Sequence, residues 1–254
     1  MSKLPKEHKF FDLSDYGRPM AKIIARTLKN SRFTPIDVTL FFIVSGLFAL
    51  ISIIYEYYYV ATIFLILKSI LDGADGELAR MKKTPSYIGR FLDSIADICL
   101  NFLLILVICW TSENHILIGF FAFLSIQLQG TLYNYYYTIM RSQLEGDQTS
   151  RIFENKIPEA FPEENQKHVT IMYKIYRGLY GFFDEIVYKL DRNALNEKYI
   201  PAWFMTCLSV FGLGFQLLFI GILLILGWRD SVCYIVISAS LLIPVFVFVR
   251  RQLG

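Results

Sequence analysis

Six apolar runs, each close to the length of a membrane-crossing helix, constrain this chain more than any other feature. They extend roughly from Val38 to Tyr55, Tyr57 to Leu71, Gly89 to Trp110, His115 to Ile139, Trp203 to Trp228 and Ser231 to Val249. A bilayer's hydrocarbon core of about 30 Å asks for about 20 apolar residues per helix. Only helices or closed barrels satisfy their backbone groups there. The expectation is an all-α integral membrane protein with six transmembrane helices preceded by an N-terminal amphipathic interfacial helix. The composition agrees: 55% of residues are hydrophobic and the mean hydropathy is +0.45, more apolar surface than water tolerates. The second run ends at Asp72, so its helix is expected to continue as a polar extension.

Charge orients the runs. Arg18, Lys22, Arg26, Lys29 and Arg32 precede the first run, Arg80, Lys82 and Lys83 follow the second, Arg141 follows the fourth, and Arg250 and Arg251 close the last. The bias of basic residues toward the inner side then puts both termini in the cytoplasm. A net charge of +3 is too mild for nucleic-acid binding. The opening segment has no apolar core of a signal peptide, so insertion is expected to start from an internal helix. Cys99, Cys109, Cys207 and Cys233 sit in apolar stretches without metal-ligand spacing and read as small buried hydrophobes.

Residues 1–34 form a cytoplasmic arm and juxtamembrane helix, and 35–254 a transmembrane catalytic domain. From Tyr16 to Leu28, Met20, Ile23, Ile24 and Leu28 recur at helical spacing among basic residues, as in a helix lying on the membrane; a solvated basic arm is the alternative. A cytoplasmic insertion spans 142–200. Glu145 to His168 reads as loop, and Ile171 to Leu190 as a second interfacial helix or a lid.

The chemistry-bearing segment lies around the second and third runs. Asp72, Asp75, Gly76, Ala79 and Arg80 fall at offsets 0, 3, 4, 7 and 8, one face of a helix, and Gly89, Asp93 and Asp97 share a face of the next. Thr84-Pro85 fits an N-cap and first residue for that second helix. Four carboxylates converging at a membrane boundary repel one another unless cations intervene. Oxygen ligands select Mg²⁺, Mn²⁺ or Ca²⁺, with Mg²⁺ the usual partner of phosphates. The small residues Gly76, Ala79 and Gly89 would admit a base and a pyrophosphate close to the backbone, with Arg80 placed to pair with phosphate. Lys68, one turn before Asp72, either snorkels or balances the carboxylates. Arg250 and Arg251 mark the inner end of the last span rather than an acceptor-phosphate site.

The pattern Asp72-x-x-Asp75-Gly76-x-x-Ala79-Arg80, eight residues, Gly89-x-x-x-Asp93-x-x-x-Asp97 resembles the signature of the CDP-alcohol phosphotransferase family. That resemblance implies six transmembrane helices, an amphipathic helix before the first, a homodimer and two Mg²⁺ ions, with Mn²⁺ an acceptable substitute. By the same resemblance Asp72, Asp75 and Asp93 are metal ligands, and Asp97 completes the site and acts as general base. Gly76, Ala79, Arg80 and Gly89 then line the CDP pocket. Where the family carries Pro-Asn and a following Thr, this chain reads Thr34-Pro35-Ile36-Asp37-Val38-Thr39 and lacks the Asn. Pro35 and Thr39 are carried as CDP-binding candidates, with a helix-start role as the alternative.

The implied activity moves a phosphatidyl group from CDP-diacylglycerol to a small alcohol acceptor at the cytoplasmic face of a bacterial or archaeal-type cell membrane, releasing CMP. Transfer of a CDP-linked headgroup to a lipid alcohol such as diacylglycerol is the alternative within the family. A cation-coupled transporter is the alternative from another class, and an inactive scaffold on the same fold a third.

Overall fold

The computed structural model describes residues 10–143, 156–196 and 200–253. All regular structure among them is helical: α1 (Arg18–Leu28), α2 (Pro35–Ile54), α3 (Tyr58–Lys82), α4 (Tyr87–Thr111), α5 (Ile116–Gln143), α6 (Gln166–Leu190), α7 (Ala202–Leu208), α8 (Leu213–Ile225), α9 (Val232–Ala239) and α10 (Leu242–Leu253), with short 3-10 turns. Four stretches are long and apolar enough to cross a membrane: Pro35–Ile54, Tyr87–Thr111, Ile116–Ser142 and Arg229–Leu253. Ala202–Phe211 and Leu213–Ile225 make a fifth if their 50° bend is one broken span. α3 is the expected span that falls outside this set, because Lys68, Asp72, Asp75 and Glu77 interrupt its apolar start.

Local chemistry sets the helix ends. Thr34 accepts from the Asp37 amide while Asp37 accepts from the Thr34 amide, a reciprocal cap, and Pro35 follows at the first helical position. Lys83, at φ 57, closes α3 in the left-handed conformation. α4 corrects the expected start at Thr84-Pro85. Its N-cap is Ser86, whose hydroxyl accepts from the Gly89 amide, and Glu164 of the insertion accepts from the amides of Tyr87 and Ile88. A remote carboxylate at a helix N-terminus meets both the orphan donors and the helix dipole, which a local reading cannot anticipate.

The main core joins α2, α3, α4, α5, α8 and α9 through Leu50, Ile53, Leu65, Leu104, Ile108, Leu217 and Leu224 among others. Gly46 permits the α2–α4 approach, since a Cβ there would lie 2.8 Å from a methyl of Leu100. α1 presses Ala21 and Ala25 against Ala74 and Leu78 of α3, while Met20 and Ile23 stay exposed. Its protein-facing side is thus alanine-lined, and Ile24 and Leu28 are shared with that contact.

The 3-10 turn Leu13–Asp15 seats against α8. A Cβ on Gly214 would collide with the Ser14 carbonyl, so only glycine allows the approach. Of the cysteines, Cys109 and Cys233 are buried, whereas Cys99 and Cys207 are exposed and correct the expectation of four buried thiols. Their helices each present one face outward, and these two residues fall on it.

The expected helix from Ile171 begins earlier, at Gln166, where Asn165 caps it. The loop expected from Glu145 lies outside the described residues as far as residue 155, and 156–165 contains no helix.

Candidate active site

α3 and α4 face one another across a cavity of about 490 Å³, lined by Asp72, Asp75, Asp93 and Asp97 together with residues of α1, α5, α6 and α8. Single carboxylate oxygens of Asp72, Asp93 and Asp97 lie within 4.8 Å of one another. Asp75, 7% exposed, lines the same cavity but stands outside that trio; it accepts a 2.6 Å hydrogen bond from the Thr39 hydroxyl. The α3 and α4 spacings thus bring all four aspartates to one place, in a three-plus-one arrangement.

Lys68 is 2% exposed, and its Nζ donates to Asp97 Oδ1 at 2.5 Å while sitting 5.1 Å from the Phe42 ring centroid. Of the two roles open to it, balancing the carboxylates is the one realised. Eight acidic residues line the cavity against four arginines, Arg18, Arg80, Arg90 and Arg141, so that even with Lys68 beside Asp97 negative charge is in excess. Asp93 Oδ1 is also buried with no hydrogen-bond partner. A buried anionic oxygen without a donor is costly unless a cation meets it. The donor set, all hard oxygen, therefore fits a divalent ion such as Mg²⁺ or Mn²⁺.

Gly76 and Arg80 line the cavity, while Ala79, Gly89, Pro35 and Thr39 do not. Gly89 packs near Ser86 and Ile36 where α4 starts, and Thr39 reaches the cavity only through Asp75. Pro35 contributes its carbonyl to Thr39 and opens α2.

Several lining residues carry no motif. Glu77, 2% exposed at its side chain, accepts from Arg80 at 3.1 Å and Arg18 at 3.2 Å. Arg18 also pairs with Asp15. Burial opposes the Arg18 charge, but Asp15 and Glu77 outweigh it and hold the guanidinium pKa above its ordinary value. Tyr133 on α5 donates to Asp12 at 2.6 Å, tying the N-terminal turn to the cavity wall.

α6 supplies Tyr176, Tyr180 and Asp184. Tyr180 donates to the Ser94 carbonyl at 2.8 Å. Burial first, then the charge of Asp97, pushes its hydroxyl well above the usual tyrosine range, so it stays a neutral donor. Tertiary contact alone reveals these residues. A sequence signal did exist for Asn101 and Gln127, which line the cavity and are polar residues inside apolar runs.

A helical bundle with several membrane-length segments and an acidic cavity between adjacent helices defines an integral membrane protein built around a cation-ready carboxylate site. The chain belongs to the CDP-alcohol phosphatidyltransferase family, whose sequence profile matches residues 32–160. That match covers α2 to α5 and all four aspartates, and ends before α6. Members transfer substituted phosphate groups from a CDP-alcohol donor to an alcohol acceptor. Comparison with curated proteins finds no significant match.

Proposed function

We propose that this chain transfers the phosphatidyl group of CDP-diacylglycerol to a small alcohol with release of CMP, as a magnesium-dependent, six-span enzyme working as a homodimer. Its site would face the cytoplasm, with both termini on that side. The observation that carries the reading is the convergence of Asp72, Asp93 and Asp97, with a buried Asp93 oxygen that no donor satisfies.

Asp72, Asp75, Asp93 and Asp97 would hold the ions. Bound Mg²⁺ would draw charge from the donor pyrophosphate and stabilise CMP as it leaves. Gly76 leaves room beside α3, since a Cβ there would meet only the Arg80 guanidinium at 3.5 Å. Arg80, steadied by Glu77, offers its remaining donors to a phosphate oxygen. Asp97 takes the proton from the acceptor hydroxyl as that oxygen attacks the lipid-bearing phosphorus; the phosphorus–oxygen bond to CMP breaks, and CMP keeps the electron pair. Lys68 fixes one Asp97 oxygen and leaves the other for this task. α3 completes the six spans by crossing as far as Leu71, with Asp72 to Lys82 emerging as the polar extension.

The test incubates purified protein and Mg²⁺ with labelled CDP-diacylglycerol or CDP-ethanolamine and a panel of alcohols, following CMP and identifying lipid products by mass. CMP release from CDP-diacylglycerol with a water-soluble acceptor supports the reading. Release only from CDP-ethanolamine with diacylglycerol establishes headgroup transfer instead, and turnover that persists in chelator removes the metal.

A further inference from the structure

Two buried carboxamides that line the cavity each leave one polar atom without a partner in the protein. Asn101 Oδ1 and Gln127 Nε2 are both shielded from solvent and accept or donate no hydrogen bond, in residues 3% and 8% exposed that line the cavity. Asn101 follows Asp97 by one turn of α4, about 6 Å further along the helix axis. It lies ten residues before the end of α4 at Thr111, and Gln127 lies eleven after the start of α5 at Ile116. The short connection makes the two helices antiparallel neighbours, so these carboxamides stand at about the same depth on facing helices.

Nearby carboxamides show the contrast. Gln216 donates to Gln129 at 3.0 Å, and Gln129 donates to the Val236 carbonyl and the Ser240 hydroxyl, both at 2.9 Å. The fold therefore satisfies polar groups at this depth where it can, and an orphaned one costs about 1–3 kcal/mol. Two such groups in the lining of the same cavity, one an acceptor and one a donor, suit a ligand that both donates and accepts.

We infer that Asn101 and Gln127 form an acceptor subsite that reads a non-reacting hydroxyl of a polyol acceptor, while another hydroxyl of the same molecule meets Asp97. The inference rests on the transferase reading above. Both side chains are neutral, so a hydroxyl suits them: it donates to one carboxamide oxygen and accepts from the other's NH₂. An ammonium or carboxylate, as on an amino-acid acceptor, would enter with its charge uncompensated by them. A site built around a substrate hydroxyl discriminates strongly against an analogue lacking it.

The experiment compares sn-glycerol 3-phosphate with its 2-deoxy analogue, and inositol phosphate with a deoxy counterpart, in wild type, Asn101→Leu and Gln127→Leu. CMP release gives KM for acceptor and donor separately. Wild type is expected to prefer the hydroxylated acceptor by roughly 10²-fold or more. Each leucine variant is expected to raise the acceptor KM about tenfold, keep the CDP-diacylglycerol KM within about twofold, and erase most of the discrimination.

A rise in donor KM instead would assign the carboxamides to the lipid donor and overturn the inference. Equal use of the deoxy analogues by wild type, or activity with serine alone, would overturn it too. Thermal stabilisation of wild type by the polyol phosphates, lost in both variants, reads the subsite without turnover and covers a variant that folds but fails in catalysis. No CMP release with any acceptor, while the polyol phosphates still stabilise the protein, would sink the transferase reading and leave the polyol subsite standing. No stabilisation would sink the subsite itself.

Discussion

Lys68 Nζ of α3 and Asp97 Oδ1 of α4 lie 2.5 Å apart beside the cavity, joining the only buried lysine among the described residues to the last aspartate of the motif. The pair fixes which Asp97 oxygen faces the cavity and offsets part of the carboxylate charge. Lys68→Met is expected to lower kcat about 10²-fold, and Asp97→Asn by about 10²–10⁴-fold as loss of a general base. Residues acting as a unit are non-additive, so Lys68→Met in the Asp97→Asn background should cost less than about tenfold. Steady-state CMP release in all four proteins checks this. An equal cost in both backgrounds would mean the two act separately.

Glu164 anchors the insertion to the start of α4 and titrates in the opposite sense to a merely buried acid. Burial raises its pKa, but the amides of Ile88 and Tyr87 and the Ser86 hydroxyl outweigh it, holding the carboxyl below its ordinary value of 4.5. A lowered folded value stabilises the protein fully above the unfolded pKa, and that contribution fades as pH falls through the folded one. Glu164→Gln is expected to be a little less stable at neutral pH, by about 0.5 kcal/mol for this partly exposed group. The gap from wild type should close below about pH 4.5. Melting curves in detergent from pH 3.5 to 7.5 test the sign, and a gap widening toward acid would refute it.

These two contacts mark the limit of what the sequence discloses. The aspartate faces are legible because helical spacing is a local rule: offsets of three and four place Asp72 with Asp75, and Asp93 with Asp97, wherever the helices go. That the two faces then look onto one cavity is set by tertiary packing, α3 against α1, α2 and α8 and α4 against α2, α5 and α6. Partner choice is not local. Thr84-Pro85 satisfies the local grammar of a helix start, yet Ser86 caps α4 because Glu164, 78 residues from Ser86, brings a carboxylate to its first turn. Glu77 reads as an ordinary acidic residue until Arg18 arrives from α1. The fifth apolar run conceals a 50° bend, since hydropathy is blind to the backbone break at Gly212.

Arg250 illustrates the same point energetically. It is 3% exposed and pairs with Asp191, which is fully buried and also accepts from the Tyr136 hydroxyl at 2.6 Å, while Tyr135 donates to the Asp191 carbonyl at 3.0 Å. The expected marker of a span's end is therefore a polar lock between α5, the end of α6 and α10. Removing one member of a buried pair strands the other, at about 3–5 kcal/mol. Asp191→Asn should destabilise by that order, and Asp191→Leu with Arg250→Met by much less. Melting temperatures of the three proteins decide between a lock and a dispensable contact, because a double variant as unstable as Asp191→Asn would contradict it.

Gly76 separates the demands of folding from those of the ligand. It sits inside α3, where glycine is less favourable than alanine by about 0.5–1 kcal/mol. A Cβ there would meet nothing closer than Arg80 Nη1 at 3.5 Å, an ordinary contact. Nothing in the protein alone therefore requires a glycine, and a ligand approaching the α3 backbone would. Gly76→Ala is expected to leave the melting temperature unchanged or slightly raised while increasing the KM for the CDP donor about tenfold or more, the acceptor KM moving little. Donor titrations of CMP release at saturating acceptor, paired with melting curves, read both quantities. A variant less stable than wild type with an unchanged donor KM would place the need for glycine in the fold and not in the site.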